Sequence, residues 1–177
     1  MYKEGKWAKQ LLGMQKEDGS WGWFHSLSQF SDSPVTTEQA LKRLEGLGYT
    51  MQDVCIQRAV TYMEDCLAGR RLLPDRAEKV SDWQVFSSLM IATWLRRFVP
   101  DHPQAMQVAK KWAEVITQAF ADGIYDHQRY IQVYKAVLNP QYGRINGFMT
   151  FYPVSLLCGC LDEQTEKAFC SYALDHP

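Results

Sequence analysis

Apolar residues at helical spacing recur along almost the whole chain, each run stopped by glycine or proline, and no useful length alternates as a half-buried strand must. That pattern restricts the chain to an all-α fold of consecutive helix hairpins. Trp7, Ala8, Leu11, Leu12 and Met14 mark a short first helix, which ends in a glycine-punctuated, indole-rich turn from Gln15 to Trp23. After the polar stretch Ser26 to Pro34, a helix near 35–47 carries Val35, Ala40, Leu41, Leu44 and Leu47 and stops at Gly48. Thr50 and Asp53 have the spacing of a capping box for a helix near 53–67, whose stripe of Ile56, Ala59, Val60, Met63 and Leu67 is narrow.

The segment near 82–98 is different, because Trp83, Val85, Phe86, Leu89, Met90, Ile91, Trp94, Leu95 and Phe98 cover most of its circumference. Such a helix is enclosed by neighbours. Ser81 or Asp82 caps it and Pro100 ends it; Asp101 and Pro103 then serve as cap and early-turn proline of a one-sided helix near 103–121. A shorter aromatic segment spans 130–138, and a final pair lies near 150–161 and 163–174. Inner helices are thus expected near 35–47, 82–98 and 150–161, and outer helices near 53–67, 103–121 and 163–174. The period, roughly 45 to 60 residues, is that of helical solenoids and toroids. A single domain over residues 1–177 is expected, an open or partial α/α-toroid of about four hairpins with a concave face. The Asp-His-Pro ending is no clear natural stop, so a longer chain or closure by a homo-oligomer or partner protein is left open.

With 19 basic and 20 acidic side chains interspersed, the chain has no field to attract a polyanion, and nucleic acid is excluded as an expected partner. Arg70-Arg71 and Arg96-Arg97 fall near predicted helix ends, where cations complement the dipole. No apolar run reaches the roughly 20 residues that span a bilayer, and no signal peptide opens the chain, so a cytoplasmic protein with reduced thiols is expected. The five cysteines follow no disulfide or metal framework.

Gln15-Lys-Glu-Asp-Gly19-Ser-Trp21-Gly resembles the Gln-x-x-x-Gly-x-Trp repeat motif of squalene and oxidosqualene cyclases. Val35 to Tyr49, with Asp53 and Arg58 to Tyr62, is similar to the helices that follow that motif, and Leu72 to Trp83 resembles the approach to an inner helix in protein prenyltransferase β subunits. The resemblance covers Lys6 to about Phe98. It implies an α/α-toroid in which Gln15, Gly19 and Trp21 are structural, the glutamine capping backbone groups between helices and the tryptophan stacking on it.

The catalytic residues of those families do not carry over. In place of the cyclase Asp-x-Asp-Asp cluster the chain has single aspartates, Asp32 and Asp82, before its first two inner helices. Where prenyltransferases place the cysteine and histidine of their zinc site, it has Pro34 and Val85. Asp53-Val-Cys55 lies on an outer helix and Cys158-Gly-Cys160 within an apolar one, so neither metal nor cofactor is assigned. No phosphate loop, nucleophile elbow or dinucleotide fingerprint is present.

Three functional readings follow. In the first, an apolar or isoprenoid-like ligand binds the concave rim to which Asp32, Asp82, Trp83 and Tyr152 belong, with Asp82 as acid and Trp83 and Tyr152 as cation-stabilising rings. In the second, a noncatalytic helical array holds a partner. In the third, Tyr125, His127 and Tyr130, with Tyr134 on the same helical face and Arg144 and Asn146 nearby, form a uronate lyase site that abstracts a proton and neutralises a carboxylate.

Overall fold

A computed structural model describes residues 2–26, 33–77 and 80–176. Asp32 lies outside them. Among the described residues there are eight α-helices and one short 3-10 turn, with no strand; the all-α expectation holds. None of the helices is long and apolar enough to cross a membrane.

The chain divides into two compact units, one of residues 1–77 and 97–100 and one of 78–96 and 101–177. The first holds α1 (Lys6–Gly13), α2 (Thr37–Gly46) and α3 (Val54–Leu67). Its core is built from Ala8, Leu11, Trp21, Phe24, Leu41, Leu44, Ile56 and Met63, all buried. Thr36 and Gln39 form a full capping box at the start of α2, a pairing the sequence reading passed over. Gly48 ends α2 as expected: at φ 84° it lets its own N–H reach Glu45 O (2.9 Å) and the Tyr49 N–H reach Leu44 O (3.0 Å), the paired bonds of a Schellman motif. The expected box of Thr50 and Asp53 is only half made. Asp53 Oδ2 accepts from the Thr50 N–H and from Lys3 Nζ (2.6 Å), and its carboxylate caps no N–H of α3.

The second unit holds α4 (Trp83–Phe98, through Arg96), α5 (Pro103–Ala119), α6 (His127–Leu138), α7 (Phe151–Leu157) and α8 (Glu163–Asp175). α5 packs on α6 and α7, and Trp112 meets the edge of Tyr134 at 5.7 Å. Phe120, Phe148 and Phe169 close a second aromatic layer with Tyr125, Tyr130 and Tyr172. Two expected details are corrected. The cap of α5 is His102, whose Nδ1 accepts from the Ala105 N–H, because Pro103 occupies the first helical position and puts residue 102 at the cap. The inner helix expected over 150–161 stops at Leu157, since Gly159 turns into the left-handed region at φ 70°. Cys158 and Cys160 therefore lie on a turn and not within a helix.

Candidate functional site

The turn after α1 begins from local necessity. Gly19 has φ 91°, which an L side chain rarely adopts, and a Cβ there would fall 2.3 Å from Arg58 O on α3. Only glycine lets this backbone lie against α3. Gln15 secures the approach, its Nε2 donating to Gly19 O (2.9 Å) and to Cys55 O (2.8 Å). Trp21 fills the core behind the turn with no exposed surface, its Nε1–H donating to Leu11 O at 2.7 Å. The three motif residues are thus brought together at one junction of turn and helix.

On the outer side of that turn lies a half-open pocket of about 330 Å³. Lys16, Asp18, Ser20 and Trp23 form one wall; Tyr62 of α3 and the following loop, with Arg71, Leu72 and Pro74, form the other. Asp18 is fully engaged. Its Oδ1 accepts from the N–H and Oγ of Ser20 (3.0 and 2.7 Å), and its Oδ2 from Arg71 Nη1 (3.0 Å). Burial works to raise its pKa, but the Ser20 bonds and the Arg71 and Lys16 charges outweigh burial and hold the carboxyl below the usual range.

Arg71 remains partly exposed and lies over the Tyr62 ring at 5.7 Å, so one guanidinium edge serves Asp18 while its plane covers an aromatic floor. Tyr62 is 2% exposed and its hydroxyl makes no hydrogen bond. Burial, with the Cys66 thiol next in effect, keeps the phenol protonated. Leu72 at the mouth is 89% exposed. The pocket thus sets a guanidinium beside the apolar surface of Trp23, Leu72 and Pro74. Sequence reading missed it, treating Arg71 as a helix-end cation.

Asp82 takes another role. It is 2% exposed, its Oδ1 accepting from the Val85 N–H (3.0 Å) and its Oδ2 from the Gln141 N–H (2.7 Å). Burial raises its pKa, but these backbone donors, with those of Tyr142 and Gln84, bring it below the normal aspartate value. A carboxylate so held caps α4 and ties down the 140s loop; it is poorly suited to donate a proton. Because the folded value is depressed, the stabilisation is complete above the unfolded aspartate pKa and disappears as pH falls through the folded one. Asp82→Ala should therefore lose about 1–3 kcal/mol at pH 7, with the gap to wild type closing as pH falls from about 5 towards 2. Urea unfolding across that range checks this, and a gap independent of pH would contradict it.

Trp83 and Tyr152 are linked through Phe86, at 6.1 and 5.7 Å, in a partly exposed aromatic row. Tyr125 and His127 do meet, with Oη to Nδ1 at 2.9 Å. Tyr130 and Tyr134 do not share an open face with His127, because both rings are buried whereas His127 is exposed. Tyr130 Oη donates to Asn146 O, and burial pushes its pKa up, which disfavours the phenolate a base needs. Arg144 is exposed at a bridge to Ser81, its N–H donating to Val80 O at 2.6 Å. Among the described residues no group of three or more His, Cys, Asp or Glu side chains could hold a metal ion. Comparison of the chain with protein-family models, with curated proteins and with solved structures finds no match.

Proposed function

We propose that the chain is a noncatalytic binding module, built on the helix-hairpin plan of α/α-toroid domains, whose pocket between the Lys16–Trp23 turn and the Arg71–Pro74 loop takes a small organic anion. The observation that carries this reading is the partly exposed Arg71 guanidinium on the pocket wall. Asp18 has its acceptors filled, whereas the partly exposed Arg71 gives only Nη1 to Asp18 and offers the rest of its guanidinium edge to an incoming oxyanion. Trp23 and Leu72 supply apolar surface for the body of the ligand. A volume of about 330 Å³ is at the low end of the ~300–1,000 Å³ of ligand pockets, and suits one ring bearing a carboxylate better than a long prenyl chain.

Two further observations favour binding over catalysis. Asp82 is consumed by backbone N–H groups, and the Tyr130 hydroxyl is spent on a carbonyl. The bonds of Gln15 to Gly19 O and Cys55 O support kinship with the toroid domains, whose motif glutamine caps backbone groups between helices. The test is a titration of the full chain with benzoate, with neutral benzyl alcohol as control, on wild type and Arg71→Met. Benzoate should bind wild type and lose at least about tenfold in affinity in the variant, the loss of one charge-assisted hydrogen bond. Removing the exposed Arg71–Asp18 pair should itself cost at most about 1 kcal/mol of stability. Equal binding of benzoate and benzyl alcohol, or of benzoate to both proteins, would count against an anion site.

A further inference from the structure

The turn that closes α7 has a chemistry of its own. Cys158 (φ −53°, ψ 119°) and Gly159 (φ 70°) have the dihedrals of the central residues of a type II turn, and the Cys160 N–H donates to Leu157 O at 2.8 Å. Glycine is needed at the second central position, where φ is positive. Residues two apart in sequence are at most about 7 Å apart in an extended chain, and a turn shortens that, bringing the two cysteines within the ~4.4–6.8 Å that a disulfide spans.

Both thiols are free; Cys158 is exposed and Cys160 partly so. Arg96 of α4 clamps the turn. Its Nη2 donates to Cys158 O (3.1 Å), and its Nη1 to Leu156 O and to Cys160 Sγ, the sulfur at 2.9 Å. The guanidinium therefore fixes the turn through its carbonyls while placing a positive charge against one sulfur. Thiolate is the species that attacks in thiol–disulfide exchange, and the guanidinium holds Cys160 Sγ in place on the turn for that attack.

We infer that Cys158-Gly159-Cys160 is a reversible dithiol–disulfide site, with Cys160 as the attacking sulfur and Cys158 as the resolving one. The oxidant is a low-molecular-weight disulfide. The Cys160 thiolate attacks one sulfur of that molecule, forming a mixed disulfide and releasing one thiolate, which takes up the proton Cys160 gave up. The Cys158 thiolate then attacks Cys160 Sγ, forming the internal disulfide and releasing the second small thiol. Two protein thiols are oxidised by two electrons and one small disulfide is reduced to two thiols. A bridge across one residue is strained, and strained, exposed disulfides are the readily reduced ones.

The experiment treats the folded full-length chain with oxidised glutathione, quenches with an alkylating agent and maps the tryptic peptides by mass. Cleavage places Cys158 and Cys160 on the peptide Ile145 to Lys167 and Cys170 on the next. The expected product is a peptide 145–167 lighter by two hydrogens, reversed by dithiothreitol. Cys158→Ser should stop at a glutathione adduct on Cys160. That adduct should form at least about tenfold faster than the one on exposed Cys170, which serves as an internal reference. Adducts appearing on Cys158, Cys160 and Cys170 at equal rates, with no internal bridge, would overturn the assignment. So would a bridge that forms only in urea.

Discussion

Trp21→Ala should lower the unfolding free energy by about 3–5 kcal/mol, because the indole has no exposed surface and its neighbours are backbone and core side chains that can close the hole only in part. The loss has two components. Most is the buried ring and the cavity it leaves; the rest is the bond from Nε1 to Leu11 O. Leu11 O also accepts the Met14 N–H at 3.2 Å, so losing the indole does not strand the carbonyl. Trp21→Phe should consequently cost well under half as much as the alanine variant. Guanidinium unfolding at 25 °C checks both. An alanine variant within 1 kcal/mol of wild type would mean that the turn is not anchored as described.

Gly19→Ala should be nearly as damaging, at about 3–5 kcal/mol, although it adds a single methyl group. The cause is that nothing can move aside. The added carbon would be 2.3 Å from Arg58 O and 2.6 Å from Arg58 C, both in the backbone of α3, and φ is 91°. Gly48 supplies the control, with φ 84° but open space where a Cβ would stand. Gly48→Ala should therefore show only the cost of the left-handed conformation, about 1–2 kcal/mol. The difference between the two variants measures the clash alone, and equal losses would contradict the close approach of the turn to α3.

The helices were legible because burial imposes its period on sequence. The stripe of Ile56, Ala59, Val60 and Met63 marked α3 to within a residue of its observed ends, and Gly48 stopped α2 through the bonds that a left-handed residue permits. Where the reading failed, two local rules competed. Leu156 and Leu157 continued an apolar pattern into Cys158, but the backbone freedom of Gly159 turned the chain there. Asp101 is the commoner cap, yet the fixed φ of Pro103 gave the position to His102.

The pocket was beyond sequence reasoning for a different reason. Its walls come from loops about fifty positions apart, where no periodicity operates, and its key cation already had an ordinary explanation at the end of α3. The tyrosines show the converse error. Spacing put His127, Tyr130 and Tyr134 on one helical face, but burial decides whether a ring is available, and the two tyrosines went into the core. Asp82 was legible as a cap and overread as an acid: the same N–H groups that make it a good cap hold its proton off.

The measurement that bears most directly on the central claim is a nitrogen-edited NMR titration of the full chain with benzoate, followed at the six indole N–H signals. Trp23 lines the pocket, whereas Trp21, Trp94 and Trp112 are buried in the cores of their units. The account predicts a saturable shift of the Trp23 signal, absent in Arg71→Met and absent with benzyl alcohol, while the three buried indoles stay still. A Trp23 signal unmoved by benzoate, or one that moves alike for the neutral alcohol, would contradict the anion-binding pocket.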